Sequence, residues 1–125
     1  MAVRSIKPDF AFIHAPLADR HGNVWIGRHR GLMLMAHAAK ATLVTAERIV
    51  DHDLLDDPDK GPATIPSLYV DAVAEAQRGA WPYGLTDEYD SDLPHLTEYL
   101  RLGATTEGFA RYIDENVHGT RTAAE

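Results

Sequence analysis

The stretch Gly31–Val50, GLMLMAHAAKATLVTAERIV, indicates the fold class of this chain. Its first ten residues are rich in Leu, Met and Ala. These are strong helix formers, and their apolar side chains fall on every face of a helical wheel, so we expect a helix covered on nearly all sides. Ala41–Thr45 follows with β-branched residues and no polar alternation, which is typical of a strand buried inside a parallel sheet. A buried helix that leads into a buried strand predicts an α/β fold.

The segment before this helix predicts two more strands. An apolar run, FAFI at residues 10–13, lies between two prolines and indicates another buried strand. Residues 18–23, ADRHGN, have turn chemistry because Gly22 and Asn23 both tolerate positive φ. Val24–Ile26 then resumes an extended run. We therefore expect a strand, a reversal and a short strand ahead of the helix.

The pattern after residue 50 is less regular. Residues 51–60, DHDLLDDPDK, predict a solvated loop or a short helix, and an EF-hand calcium loop is rejected because its glycine and terminal glutamate are missing. Residues 68–76, LYVDAVAEA, fit either a strand or a helix. Two amphipathic helices are then expected, one capped by Asp92 and ended by Gly103, the other over Thr105–Val117 with Thr105 as its cap.

Composition excludes several classes of protein. The 125 residues are 45% hydrophobic and contain no repeat, so we expect one globular domain over residues 1–119 with a flexible tail at 120–125. A formal net charge of −7 argues against nucleic-acid binding. The chain has no cysteine, which excludes disulfides and thiolate metal sites. There is no signal-peptide pattern and no apolar run near the roughly 18 residues of a membrane span, so we expect a soluble, cytoplasmic protein without membrane contact.

Five motifs in a fixed order carry a family resemblance. They are PDFAFIHAPLADRHGNVWI at 8–26, AAKATLVTAERIVD at 38–51, TIPSLYVDAVAEA at 64–76, RGAWPYG at 78–84 and YDSD at 89–92. The chain resembles the later part of the α subunit of family I coenzyme A transferases, notably that of glutaconate CoA-transferase and of relatives that include hydrolases of steroid ring-cleavage intermediates. The resemblance implies part of the CoA-transferase fold, with a mostly parallel sheet covered by helices.

The resemblance also implies partners. In the family the catalytic glutamate attacks the thioester and belongs to the β-type half, so no catalytic residue is expected on this chain. The glycine-rich loop that presents N–H groups to acyl-CoA has no counterpart before Gly22, and another polypeptide is expected to supply it. We expect an enzyme only as part of a hetero-oligomer, with acyl-CoA as substrate, no permanently bound cofactor and an inactive isolated chain. The alternatives are an acyl-CoA hydrolase or ring-opening relative, and a noncatalytic scaffold subunit.

Candidate site residues follow from position. Ligands of open α/β sheets sit beyond the carboxyl ends of strands, which points to the segments His14–Asp19 and Thr45–Glu47 as loops near substrate. His14 is a candidate hydrogen-bond donor to an acyl oxygen, or a satisfied, partly buried histidine. Glu47 is a candidate for orienting a catalytic group or a ligand hydroxyl, or for a surface ion pair with Arg48 or Lys40. Asn23 is a candidate for contact with substrate, in addition to its predicted role in the turn at residues 18–23. The residues predicted to lie near the acyl group or coenzyme A are His14, Asp19, Asn23, Glu47, Trp81 and Tyr83.

Aromatic residues supply the remaining candidates for the acyl pocket and for a joint with a partner. Trp81 and Tyr83 are candidates for flat walls of an acyl pocket, and Trp81 stands where the resembled relatives usually have histidine, which predicts a changed or lost substrate specificity. Aromatic residues and methionine are enriched in interface cores. The residues predicted to close the joint with a partner are therefore Trp25, Met33, Met35 and Trp81.

Arg20, Arg28 and Arg30 form the basic cluster of an acidic chain. Arginine binds phosphate with forked hydrogen bonds, so these residues are candidates for contact with the phosphates of coenzyme A, or with an acidic patch on a partner. Histidines recur every eight residues at His21 and His29 and again at position 37. That spacing is neither i, i+4 on a helix nor i, i+2 on a strand, so we predict no metal site.

Overall fold

The computed structural model describes residues 5–119, which form two compact units. The first unit ends at Ala80 and the second begins at Trp81. The single domain expected over residues 1–119 stays a prediction, and the predicted tail at 120–125 lies outside the described residues. Within the described part of the chain, no helix has the length and apolar character needed to cross a membrane.

The first unit is built on a five-stranded sheet. Its elements are β1 (Phe10–Asp19), β2 (Val24–Trp25), α1 (Arg30–Ala38), β3 (Ala41–Val50), β4 (Thr64–Ile65) and β5 (Ala72–Glu75), with 3-10 turns at Gly61–Ala63 and Ser67–Tyr69. The strand order is β4-β2-β1-β3-β5. Strands β1, β3 and β5 run parallel, and β2 pairs antiparallel with β1 and β4. The predicted α/β sheet is confirmed, and the undecided segment 68–76 supplies a turn and the parallel edge strand β5.

The second unit contains two helices, α2 (Leu93–Leu102) and α3 (Thr106–Ile113), followed by a π-helical turn at Asp114–His118. Asp92 caps α2 by accepting a hydrogen bond from the His95 N–H at 3.0 Å. Thr105 caps α3 by accepting from the Gly108 N–H at 3.1 Å. Both predicted caps are confirmed. They could be predicted from the sequence because a capping side chain binds a backbone N–H group within one helical turn of itself.

The central helix α1 is not covered on all sides. Of its residues only Ala36 is buried, whereas Leu34 is 70% exposed and Met35 44% exposed. The prediction of a helix buried on every face is therefore wrong for the described chain. The physical reason is that one helix packed on one face of a sheet buries a single stripe, whatever the composition of its other faces.

The strands show the same one-sided burial. Ala11 and Ile13 of β1 are buried, and Ile13 belongs to one core cluster with Val44 and Ala46 of β3 and Ala36 of α1. The alternate residues point to the other face, and Phe10 and Phe12 are 57% and 71% exposed. The prediction of burial on both faces is therefore wrong for the amino-terminal half of β1, whereas the same half of β3 alternates buried and half-buried residues.

Core packing makes one position in β4 a test of this architecture. Ile65 is completely buried in the core of the first unit. We expect Ile65→Ala to lower the free energy of unfolding by about 2–5 kcal/mol, because it removes buried methylenes and leaves a cavity. Urea unfolding measures this value. Leu68→Ala is the matched control, since Leu68 is 83% exposed and its truncation is expected to cost less than about 0.5 kcal/mol. Equal effects of the two variants would contradict the core assignment.

Candidate active-site scaffold

Two of the predicted site residues, His14 and Glu47, lie together on neighbouring parallel strands. The segments His14–Asp19 and Thr45–Glu47 were expected to be loops. The structure instead shows them as parts of β1 and β3. The reason is that pairing of the two strands continues to the end of both, where Asp19 pairs with Val50. In this register His14 lies opposite Thr45, and Glu47, two residues further, shares their face of the sheet.

His14 is held through both ring nitrogens. Its Nδ1 lies 2.8 Å from Thr45 Oγ1, and its Nε2 lies 2.8 Å from Glu47 Oε1. The Nε2–H donates to the carboxylate, while the threonine hydroxyl can donate to Nδ1 of a neutral ring or accept from Nδ1–H of a charged one. The imidazole therefore keeps both partners in either protonation state. The structure shows the satisfied, half-buried histidine, with 15% of its side chain exposed.

Glu47 also binds the turn that follows β5. Its Oε2 accepts from the Arg78 N–H at 2.6 Å and its Oε1 from the Gly79 N–H at 3.2 Å. Successive backbone N–H groups directed at one anion form a nest, and here the anion belongs to the chain itself. Glu47 does not lie at the surface, where the alternative ion pair with Arg48 or Lys40 was expected, since only 8% of its side chain is exposed. Lys40 pairs instead with Asp9 at 2.6 Å. We call the contacts among His14, Thr45, Glu47, Arg78 and Gly79 the histidine–glutamate clamp.

Gly79 packs directly against the imidazole. A Cβ atom at this position would lie 2.5 Å from His14 Cε1 and 2.8 Å from His14 Nδ1. Such distances are far below van der Waals contact, so any side chain here must displace the ring or the turn. The close approach explains why glycine occupies the position. The sequence pattern did not identify Arg78 and Gly79, because both act through backbone N–H groups that every residue except proline has.

Gly79→Ala tests this packing. We expect the variant to lower the free energy of unfolding by about 1–3 kcal/mol, because the added methyl group overlaps the His14 ring. Urea unfolding and the NMR chemical shifts of the His14 ring report the two effects. Gly31→Ala is the control, since a Cβ at Gly31 meets nothing within 4 Å. It lies inside α1 and is expected to stabilise the chain by about 0.5–1 kcal/mol. A tolerated Gly79→Ala with unchanged His14 signals would contradict the contact.

A second polar cluster surrounds Asp19 at the end of β1, where 2% of the residue is exposed. Its Oδ1 accepts from the backbone N–H groups of His21 and Asn23, both at 2.9 Å. Its Oδ2 accepts from Asn23 Nδ2 at 2.8 Å and from the Leu54 N–H at 2.9 Å. Burial alone would raise the pKa of Asp19. The hydrogen bonds from Leu54, Asn23 and His21 outweigh it and hold the pKa of this carboxyl below its ordinary value.

Asn23 links the turn to two other segments. Its Nδ2 also donates to Asp53 Oδ1 at 3.2 Å, and its Oδ1 accepts from the Ser67 N–H at 2.9 Å. The predicted reversal is present, with Gly22 at φ 89°. The acidic segment 51–60 is only partly the predicted solvated loop, because Leu54 within it is completely buried. The structure therefore shows Asn23 organising the turn, and substrate contact by Asp19 and Asn23 stays a prediction.

The three arginines lie at the surface. Arg20 pairs with Asp51 beyond β1, and 73% of its side chain is exposed. Arg28 and Arg30 are exposed where α1 begins, and Arg30 lines a groove of about 400 Å³ beside this helix. Their contact with phosphates stays a prediction. Among residues 5–119, no three or more His, Asp or Glu side chains are grouped so that they could hold a metal ion.

In the second unit, Trp81 contacts His95 with ring centroids 4.3 Å apart and ring planes inclined by 50°. The indole N–H donates to Asp92 at 3.2 Å, and His95 Nε2 lies 2.7 Å from the Tyr112 hydroxyl. Trp81 is 41% exposed and Tyr83 is 65% exposed. The histidine in this cluster was not among the predicted site residues. The role of Trp81 and Tyr83 as walls of an acyl pocket stays a prediction.

Known proteins share this sequence and this fold. Residues 1–76 match the family model for coenzyme A transferase. The α subunit of glutaconate CoA-transferase from Acidaminococcus fermentans is 40% identical over 121 residues, which are 92% of this chain and 36% of that protein. The α subunit of 3-oxoadipate CoA-transferase from Pseudomonas knackmussii is 34% identical over 125 residues, 99% of this chain and 43% of that protein. The cholesterol ring-cleaving hydrolase IpdA subunit of Mycobacterium tuberculosis is 26% identical over 126 residues, 96% of this chain and 42% of that protein.

The crystal structure of the Acidaminococcus glutaconate CoA-transferase matches with a TM-score of 0.78 and 36% identity, over 87% of this chain and 34% of that chain. The chain thus spans less than half the length of the relatives that it matches. The resemblance seen in the sequence motifs is confirmed, and so is the fold it implied. This chain belongs to the coenzyme A transferase family.

Proposed function

We propose that this chain is one subunit of a heteromeric family I CoA transferase that moves coenzyme A between carboxylic acids. In this proposal a glutamate of a β-type partner attacks the acyl-CoA and expels the coenzyme A thiolate, which leaves an acyl-glutamyl anhydride. The thiolate then attacks the glutamyl carbonyl and releases the first carboxylic acid, so that the glutamate carries coenzyme A as a thioester until the acceptor carboxylate takes it by the reverse steps. A further polypeptide supplies the glycine-rich loop, whose amides stabilise the oxyanion. Acyl-CoA is the substrate, no cofactor is permanently bound, and the isolated chain is inactive. A chain without cysteine fits a reducing compartment such as the cytoplasm, where we place the complex.

The observation that carries the proposal is the binding state of Glu47. This carboxylate sits at the centre of the histidine–glutamate clamp, where it accepts from His14 and from the Arg78 and Gly79 N–H groups. A carboxylate engaged in this way is committed to holding a turn, and attack on a thioester would require it to give up these donors. The clamp therefore supports a scaffolding role for Glu47 beside the reaction, with the nucleophile supplied by the partner.

Contacts with the partner remain part of the proposal. Of the residues expected to close the joint, Met35 and Trp81 are exposed, and Trp25 and Met33 are half-buried. Arg20, Arg28 and Arg30 are exposed cations suited to the phosphates of coenzyme A. A second candidate function is acyl-CoA hydrolysis or ring opening, which the similarity to the IpdA subunit favours. In acyl-CoA hydrolysis water takes the place of the acceptor acid and coenzyme A leaves as the free thiol, whereas in ring opening water cleaves a ring bond of the acyl group and the thioester remains.

Co-expression of the full chain with a glycine-loop polypeptide and a β-type subunit tests the proposal. The complex is supplied with acyl-CoA and acetate, and acetyl-CoA and free coenzyme A are measured separately. We expect acetyl-CoA from the complex and neither product from the isolated chain. Hydroxylamine added during turnover is expected to convert a glutamate of the β-type partner into a hydroxamate that mass spectrometry detects. Free coenzyme A without acetyl-CoA would assign the hydrolase function. Conversion of the acyl-CoA without either product would assign ring opening, and an assembled complex that leaves the acyl-CoA unchanged would assign the scaffold role.

A further inference from the structure

One face of the parallel part of the sheet carries apolar side chains that point away from the core. In register across the strands, Phe12 of β1 lies beside Leu43 of β3, which lies beside Ala72 of the edge strand β5. Side chains two residues apart on a strand share a face, so Phe10 of β1 and Ala74 of β5 belong to this surface as well. We call these five residues the open sheet face.

The open sheet face is exposed although its composition is that of a core. Phe12 is 71% exposed, Phe10 is 57% exposed, and their ring centroids lie 6.1 Å apart. Ala72 and Ala74 are exposed too. Parallel strands are found almost only in sheets with both faces covered. Helix α1 covers the opposite face through the core cluster, so among the described residues the open sheet face is the side without a covering layer.

The surface of the open sheet face is uneven, with large side chains on one side and small ones on the other. The two phenylalanine rings project from β1. On the other side of β3, the small Ala72 and Ala74 of β5 leave a depression of about 450 Å³, which Phe12 and Leu43 also line. A cavity of about 150 Å³ is enough to hold benzene, so this depression has room for a phenyl ring. The face therefore carries both a projecting ring and a space that such a ring fits.

The ring and the space lie at positions that a twofold axis exchanges. β3 lies between β1 and β5 in the sheet, and neighbouring strands are about 4.8 Å apart, so Phe12 and Ala72 lie at about equal distances on either side of Leu43. A twofold axis above the face and parallel to β3 places β1 of one copy over β5 of the other. We propose that the open sheet face binds a second copy of this chain about this axis, so that each Phe12 ring fills the depression over Ala72 and Ala74 of the other copy. This inference goes beyond the proposed function and does not depend on it.

The charge and the area of the face also suit a second copy. None of the five residues is charged, whereas a charge near the centre of a twofold interface would meet its own sign. An aromatic side chain buries about 150–250 Å², so the partly exposed Phe10 and Phe12 of two copies, together with the surface they cover, account for about 1,000 Å². That area is near the lower limit for a specific interface. We therefore expect a reversible dimer with a dissociation constant on the order of micromolar.

Sedimentation of the full chain over a range of concentrations tests the proposal without acyl-CoA or any partner protein. We expect a monomer–dimer equilibrium. Phe12→Asp is expected to weaken the dimer by about a hundredfold or more, because the symmetry places two unpaired charges in one apolar contact. Leu34→Asp is the matched control, since Leu34 is 70% exposed but lies on α1, and we expect it to change the dissociation constant less than about threefold. Both side chains are exposed in the monomer, so circular dichroism of the two variants should match the wild type.

Ala72→Phe distinguishes this packing from unspecific association of an apolar face. The variant adds apolar surface but fills the depression, so we expect it to weaken the dimer by about tenfold or more. The double variant Phe12→Ala with Ala72→Phe is expected to recover an affinity within about tenfold of the wild type, because the axis exchanges the two positions. A monomer at millimolar concentration, a dimer that Phe12→Asp and Leu34→Asp weaken equally, or tighter association of Ala72→Phe would overturn the proposal. A dimer that persists in Phe12→Asp would place the contact elsewhere, such as the free edge of β5, and would overturn it too.

Discussion

We expect Asp19→Ala to lower the free energy of unfolding by about 3–5 kcal/mol, because four hydrogen-bond donors lose the buried charged group that accepts from them. The residue is 2% exposed, and its carboxylate accepts from the N–H groups of His21, Asn23 and Leu54 and from the Asn23 amide. A methyl group satisfies none of these donors. Total stabilities of such domains are about 5–15 kcal/mol, so this loss removes a large share of the stability. Urea unfolding followed by circular dichroism measures it.

Asp9→Ala provides the control for this prediction. Asp9 forms an ion pair with Lys40 at the surface, and 72% of its side chain is exposed. Such pairs contribute about 0–1 kcal/mol, so the control is expected to leave stability nearly unchanged. If the two variants had the same stability, the buried network around Asp19 would not be a structural element of the first unit.

The same network predicts a dependence of stability on pH. Its hydrogen bonds hold the pKa of Asp19 below the ordinary value of 3.8, so the unfolded chain takes up a proton at higher pH than the folded chain does. The stabilisation from Asp19 is therefore complete above its unfolded pKa and is lost as pH falls through the folded pKa. We expect the stability difference between wild type and Asp19→Ala to be constant near neutral pH and to shrink below about pH 4. A difference that grows on acidification would contradict the lowered pKa.

Glu47→Ala is expected to have the largest effect on activity. The substitution removes the acceptor of His14 and the anion that holds the Arg78 and Gly79 N–H groups. In the assembled complex we expect turnover to fall about a hundredfold, as misplacement of a site by about 1 Å can cause. We also expect the free energy of unfolding of the chain to fall by about 2–3 kcal/mol. Transfer kinetics and urea unfolding measure the two effects.

Hydrogen exchange separates this local role from general destabilisation. The Arg78 amide should exchange much faster in Glu47→Ala, while the Gly79 amide, which also donates to the Ala76 carbonyl oxygen at 3.2 Å, and the amides of the core strands change less. Glu75→Ala is the control, since Glu75 lies at the end of β5 and accepts from the Ile49 N–H at a more exposed position. We expect near-normal turnover from it. Equal losses of turnover in the two variants would contradict a specific role of the clamp.

The residues of the candidate site were only partly predictable. His14 and Glu47 were selected because ligands gather at strand ends, although the structure places both inside strands. Their contact depends on the register between β1 and β3, which brings together residues 33 apart in the chain. Gly79 was missed because its two contributions, an N–H group and the absence of a side chain, leave no distinctive pattern in the sequence.

Features that depend on neighbouring residues could be predicted from the sequence alone. These include the reversal at Gly22, the helix caps at Asp92 and Thr105, and the existence of β1 and β3, because turn, cap and strand preferences operate over a few residues. The length of the strands and the choice of their covered faces were set by tertiary packing. So was the binding of Glu47 to a histidine and to the turn after β5. Each of these depends on strand register and on the number of layers packed against the sheet, which local composition does not encode.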